Sequence, residues 1–419
     1  MIFTVFYHSL FDSGAHYSIK RFLELLKDEY DFNMIICRNS SNDVVKDLST
    51  LNIKIIKKSC VRRNVFTEFI IDDEIKNLIK TSDAVWILDN EHITAPKIKR
   101  IRDVPVLAYL RNYLIICPIN LASYSMKDVC LTKCSFPRII SCKKGIYDHY
   151  IKNHYINILS YYVKGRVLVY GKGLLDYVRW LETVDDRLLN SIDLFIVISH
   201  AMKEIYTYHI PDLSDKIEVV YNPVLSEDVI RKIKMYRQDS SEDLFITYSS
   251  GDLPVKGFMI LLKAFREIYR SYKDLKLVLT GEYNNDILKR FCDYENNDIC
   301  DRIKLLGKID YQDLLRTYVS SKAVVYPSIW PEPFGRVVAE AQLLGTPVVA
   351  SDIGGIREIV EDNVTGYLSR PGDPKDLSDK IVLTLERTWN KDLISRKTFE
   401  KFNDQVFLRR IKDVIKKVL

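Results

Sequence analysis

The stretch Val325–Gly366, VYPSIWPEPFGRVVAEAQLLGTPVVASDIGGIREIVEDNVTG, decides how the rest of the chain is read. It predicts a short strand, a Pro-rich loop, a helix, a second strand, a Gly-Gly turn, a second helix and a hairpin. Pro331-Glu332-Pro333 cannot lie inside a helix, so Phe334-Gly335-Arg336 forms the first helical turn. Gly345, with Pro347 two residues on, ends that helix. Val348-Val349-Ala350 is a buried β run, and Gly354-Gly355 turns the chain into the helix holding Arg357 and Glu358.

Two carboxylates stand out, Glu332 in the loop and Glu340 on the helix, with seven residues between them. The helix start beside them offers unpaired backbone N–H groups and the positive end of a dipole, a site suited to a diphosphate. A loop carboxylate can hold sugar hydroxyls, and one further along the helix can hold the two hydroxyls of a ribose. Together they describe a nucleotide-sugar pocket; taken alone, the carboxylate spacing also fits a helix with solvated glutamates.

The surrounding pattern is richer than the pair. Pro327-Ser328, Pro331 to Gly335, Glu340-Ala341, Gly345 to Ser351, Gly354-Gly355, Glu358, Val360 and Gly366 together resemble the donor site of family 4 retaining glycosyltransferases, whose fold is the two-domain GT-B. The resemblance implies two Rossmann-like domains facing each other across a cleft, with a C-terminal helix crossing back to the first. It implies transfer of a sugar from a UDP-, GDP- or ADP-linked donor to a carbohydrate or lipid-linked acceptor. Glu332 then orients the sugar, Glu340 the ribose, and Phe334, Gly335 and Arg336 the diphosphate. Two alternatives share the fold: a nucleotide-sugar epimerase and a non-catalytic nucleotide-sugar binding subunit.

Length and composition agree with two domains. The chain has 419 residues, more than one ordinary core accommodates, and its 47% hydrophobic and 28% charged residues indicate a globular protein. A net charge of +6 is modest for this length and does not suggest a nucleic-acid binder. MIFTVFYHSLFDSG lacks the basic start of a signal peptide and reads as a core strand. The apolar region Val104–Ala122 is interrupted by Arg111, Asn112 and Asn120, so no transmembrane helix is expected. The expected location is cytoplasmic, at most touching the cytoplasmic face of a membrane.

Ile2–Tyr7, a helix carrying Ile19, Phe22, Leu23 and Leu26, and Phe32–Cys37 form a first β-α-β unit. Alternation continues through Ile53–Ile56, Ala84–Leu88, Val106–Leu110 and Ile192–Ser199, predicting a parallel sheet with ligands at its carboxyl edge. The first domain is expected to span residues 1–222, the second 223–394, and the crossing helix 395–419. In the resembling family the first βα loop is glycine-rich and faces the donor; here it holds only Gly14, which serves equally as a plain helix start. Arg111 stands where many similar enzymes carry a sugar-contacting histidine. An arginine cannot act as a base, so at this catalytic position it would pair with a phosphate or an acidic acceptor. In the second domain, Lys256-Gly257 matches the family's diphosphate-binding lysine. The companion arginine position falls on Gly251, leaving Arg336 as a substitute.

Half of the eight cysteines fall in one insertion, about 117–142. Cys117, Cys130, Cys134 and Cys142 suit either a structural zinc or four buried thiols. The family's chemistry requires no catalytic cofactor, and without an export signal the thiols are expected reduced. From Lys97 to Arg179, 15 lysines and arginines face only 4 acidic residues, with tyrosines at 147, 150, 155, 161, 162, 170 and 177. Such a surface suits an anionic headgroup, or equally a solvated helical face.

Overall fold

Apolar runs alternating with amphipathic helices fold into two parallel sheets. The computed structural model describes residues 1–8, 14–63, 66–88, 91–117, 123–124, 128–130, 142, 184–236, 244–283, 285–294 and 298–419. The first sheet has seven strands in the spatial order Ile217–Val219, Leu194–Val197, Val106–Leu110, Ala84–Leu88, Ile2–Tyr7, Asp31–Cys37 and Lys54–Lys58. Its registers are uniform, with Val5 opposite Met34 on one side and Trp86 on the other. Helices cover both faces, which is why strands such as Ala84–Leu88 are buried at every residue.

The second sheet has six strands in the order Ile303–Gly307, Lys276–Thr280, Phe245–Tyr248, Ala323–Tyr326, Val348–Ser351 and Gly366–Ser369. Each sheet begins near its middle, proceeds to one edge and then returns to build the other side. That reversal leaves a crevice at the carboxyl ends of the strands, where ligands bind in open α/β sheets. The two crevices face a common cleft, and the architecture is GT-B.

The tail comprises two helices, Lys391–Phe402 and Asp404–Val418. Asn403 separates them, its side chain accepting from Val406 N at 2.9 Å and so capping the second. That last helix returns to the first domain. Phe407 meets Phe22 with ring centroids 5.8 Å apart. Asp404 pairs with Arg21, and Lys412 lies 2.6 Å from Glu29. Among the described residues no helix is long and apolar enough to cross a membrane. The seven tyrosines of the basic stretch lie outside the described residues.

The cysteine chemistry departs from expectation. Cys37 is disulfide-bonded to Cys60, and Cys292 to Cys300, where reduced thiols were predicted. The pairing of Cys37 with Cys60 is tertiary: Cys37 ends its strand, Cys60 follows just beyond the parallel neighbour Lys54–Lys58, and residues 23 apart in sequence reach a Cα separation of 5.6 Å. The structural zinc predicted at Cys117, Cys130, Cys134 and Cys142 is likewise not upheld. Among the described residues, the group able to present three ligand atoms to a metal is instead His8, Cys37 and Cys60. Both sulfurs of that group are consumed in the disulfide, and a disulfide sulfur is not the thiolate that zinc requires. Cys117, Cys130 and Cys142 form no such group among the described residues, and Cys134 lies outside them.

Candidate functional site

A cleft of about 990 Å³ runs between the two sheets. The first domain lines it with Ser18, Ser41, Asp43, Arg111, Ile198 and Asn222. The second contributes Ser249 to Leu253, Lys256, Lys308, Tyr326, Trp330 and Glu332 to Val337. Glu332, Lys256, Phe334, Gly335, Arg336 and Arg111, separated by up to 225 positions in the chain, therefore line one cavity, Arg111 from the first domain and the others from the second.

Glu332 is the centre of the second-domain wall. Its Oε1 accepts from Lys256 Nζ at 2.6 Å, Tyr326 OH at 2.9 Å and Ser328 Oγ at 3.0 Å. Three donors on one oxygen fix the carboxylate, whose residue is only 5% exposed. Burial pushes the Tyr326 hydroxyl well above its usual pKa, and the adjacent Glu332 charge adds to the effect, so the phenol stays a donor. Lys256 Nζ also lies 4.7 Å from the Trp330 ring centroid. The loop holding Glu332 is seated on Gly354, whose φ is +58°. A Cβ there would fall 2.6 Å from both the amide nitrogen and the carbonyl oxygen of Glu332.

The helix Arg336–Leu343 begins beside this loop, with Gly335 at its cap and no side chain capping it. It closes at Gly345 by paired bonds, Gly345 N to Gln342 O and Thr346 N to Ala341 O, each 2.9 Å. Glu340 sits one layer behind the cleft wall, 2% exposed. Its Oε1 accepts from Arg336 Nε at 2.6 Å and from Tyr311 OH at 2.5 Å. The Arg336 guanidinium also reaches Ser18 Oγ at 3.0 Å and Val224 O at 3.1 Å. Burial alone would lower the Arg336 pKa, but Tyr311 and Glu340 outweigh it and hold the guanidinium above its ordinary value. Tyr311 stacks on Tyr17, centroids 4.6 Å apart, so this cluster joins the second domain to the first helix of the first.

Gly14 opens that first helix, Gly14–Leu26. Arg111 follows the strand Val106–Leu110 and is 8% exposed. Gly251 lies in the cleft with φ +65°, and a Cβ on it would come within 2.8 Å of the Glu282 carbonyl oxygen. No arginine fits in that backbone geometry. Lys308 is a cleft cation that sequence reasoning missed. Its signal was available: it follows Gly307 at the carboxyl end of a strand, the position where such sheets bind ligands. Tyr311 was also missed, because the chain brings it to Glu340 across 29 positions; Tyr326 and Ser328 lie only six and four positions before Glu332, and their bonds to it come from the local turn between strand end and loop.

Residues 231–402 match the sequence model of the family described as Glycosyl transferases group 1. A phosphatidyl-myo-inositol mannosyltransferase of Mycobacterium leprae is 31% identical over 134 residues, covering 32% of this chain and 35% of that protein. An uncharacterized glycosyltransferase of Methanocaldococcus jannaschii is 30% identical over 198 residues, covering 44% and 48%. The chain thus spans between about a third and a half of the curated relatives it matches. Among solved structures, Anabaena HepE in complex with UDP and glucose aligns over 100% of both chains with TM-score 0.66 and 18% identity. Sucrose-phosphate synthase from Thermosynechococcus elongatus aligns over 99% of this chain and 98% of its own, with TM-score 0.66 and 15% identity. At these identities the likeness is one of fold, and that fold is GT-B.

Proposed function

We propose that this protein is a retaining glycosyltransferase that uses a nucleotide diphosphate sugar. The observation that carries the reading is the constellation of Glu332, Lys256 and the uncapped start of the helix Arg336–Leu343 on one wall of an interdomain cleft. It lies within the stretch matching the group 1 family.

In this reading the diphosphate rests on the backbone N–H groups at Phe334–Arg336 and on Lys256, with Lys308 supplying the second cation that Gly251 cannot. Donors held in place before the reaction stabilise the charge that develops on the leaving diphosphate, commonly the largest catalytic contribution. Glu332 orients the hydroxyls of the sugar. The Arg336–Glu340 pair receives the ribose, guanidinium at the wall and carboxylate behind it. Attack from the same face as departure retains configuration, the leaving phosphate assisting deprotonation of the acceptor. Arg111 faces this chemistry from the first domain, where it pairs with a phosphate or an acidic acceptor. The donor is UDP-, GDP- or ADP-linked; UDP accompanies the Anabaena relative. The acceptor is a carbohydrate or a lipid-linked molecule; the name of the mycobacterial relative, a phosphatidyl-myo-inositol mannosyltransferase, gives a lipid acceptor for that protein.

The test is nucleotide release from a panel of UDP-, GDP- and ADP-sugars, with and without glycan and lipid acceptors. Acceptor-dependent release with anomeric retention, read by NMR of the product, supports the proposal. Binding without release, or release of an epimerised sugar nucleotide, refutes it.

A further inference from the structure

One carboxylate outside the cleft joins the two domains. Glu358 belongs to the short helix Ile356–Ile359 of the second domain. Its Oε2 accepts from His200 N at 3.0 Å and its Oε1 from Ala201 N at 2.8 Å. Those two N–H groups open the first-domain helix His200–His209 and lack partners within it, as in every helical first turn. Ser199 Oγ accepts a third, from Met202 N at 3.0 Å. A side chain 157 residues away therefore completes the cap of this helix, from another domain.

Glu358 also accepts from Tyr221 OH at 2.8 Å, at the point where the chain leaves the first domain. The Tyr221 ring lies 6.1 Å from that of Phe334 and 5.1 Å from that of Phe402, which are themselves 5.3 Å apart. Phe334 immediately precedes Gly335 at the donor helix start. The carboxylate thus connects a first-domain helix, the interdomain crossover and the floor of the donor site through contacts shorter than any path along the backbone.

We propose that Glu358 is a positioning residue that fixes the angle between the two domains, and with it the width of the cleft. The inference rests on the glycosyltransferase reading only in what the cleft width controls. A charge-assisted cap at a helix N-terminus is directional and strong, because both oxygens meet N–H groups and the helix dipole favours the negative charge. Glu358 does not line the cleft, so its loss should leave donor contacts intact while misplacing first-domain groups such as Arg111 relative to the bound sugar.

The test uses Glu358→Gln and, from the other domain, His200→Pro. An amide presents one acceptor and one donor to two N–H groups, so the glutamine cannot make both bonds. Proline removes the His200 N–H yet suits the first position of a helix, and the extended Ser199 before it accommodates a proline. With the fold verified by circular dichroism, each variant should show a larger radius of gyration by X-ray scattering. Each should also lose about tenfold to a hundredfold in kcat, the range that sub-ångström to ångström misplacement produces, with the donor KM nearly unchanged. The double variant should be no worse than the more impaired single one, since both changes act on the same interdomain cap. Unchanged scattering and kcat in the folded variants, or additive losses in the double one, would overturn the proposal. If the wild-type protein transfers no sugar from any donor, the glycosyltransferase reading fails alone, and scattering decides the domain role by the same criterion.

Discussion

Replacing Glu340 with alanine tests two roles with two separable readouts. In the folded protein its Oε1 neutralises Arg336 at 2.6 Å and receives the Tyr311 hydroxyl, in a position 2% exposed. Removing one partner of a buried ion pair leaves the other charge uncompensated, which costs about 3–5 kcal/mol. Arg336 would retain Ser18 Oγ, Val224 O and Tyr311 OH as acceptors, which places the cost near the lower end, about 3 kcal/mol. For a domain of roughly 200 residues each kcal/mol shifts the melting midpoint by about 2–4 °C, so a fall of roughly 6–12 °C is expected by calorimetry. The double variant Glu340→Leu/Arg336→Met removes both charges and should recover most of that loss, since apolar replacements of buried pairs are often neutral. Affinity behaves differently. Loss of a charge-assisted bond to the ribose should weaken nucleotide diphosphate binding by about 1.5–3 kcal/mol, roughly tenfold to a hundredfold and more. The double variant should not regain it. A Glu340→Ala protein that melts with wild type would refute the ion-pair reasoning. Full affinity in either variant, by isothermal titration, would remove Glu340 from the ribose site.

Three further expectations concern other parts of the molecule. Lys256→Met should lower kcat/KM by at least tenfold in the nucleotide-release assay, because Glu332 loses its charged donor and the diphosphate a cation, a hydrogen bond to charge being worth about 1.5–3 kcal/mol; activity within twofold of wild type would exclude Lys256 from the donor site. Gly354→Ala should impair turnover without touching any ligand, since its Cβ must displace the Glu332 backbone 2.6 Å away; a crystal structure with Glu332 unmoved and turnover intact would contradict it. Burial holds the His209 pKa below its ordinary value, despite the Cys130 carbonyl 2.7 Å from its Nε2. The folded protein then binds the proton more weakly than the unfolded chain. The stabilisation is complete above the unfolded histidine value of about 6.5 and diminishes as pH falls below it, toward the folded value. His209→Gln should flatten the melting temperature between those two values, and an unchanged pH profile would assign the acid sensitivity elsewhere.

The sequence by itself determined the architecture and the residues that line one wall of the cleft. Period-two and helical apolar patterns are local properties, so the strands Ile2–Tyr7, Ala84–Leu88 and Val348–Ser351 and the start and stop of the helix around Glu340 were legible from their own residues. So was the pairing of Glu332 with the following helix, because both belong to one continuous loop and turn. What remained hidden depended on chain crossings. Lys256 meets Glu332 across 76 positions, Arg336 meets Ser18 across 318, and Cys37 meets Cys60 across 23. The cysteine cluster misled for the same reason, since closeness in sequence says nothing of where sulfurs point. Tertiary structure alone decided that Gly251 has no room for a side chain, that Lys308 enters the cleft, and that Glu358 caps a helix of the other domain. Each follows from where a parallel sheet places the carboxyl ends of its strands, which is set by the order in which the strands assemble and not by the residues of any one of them.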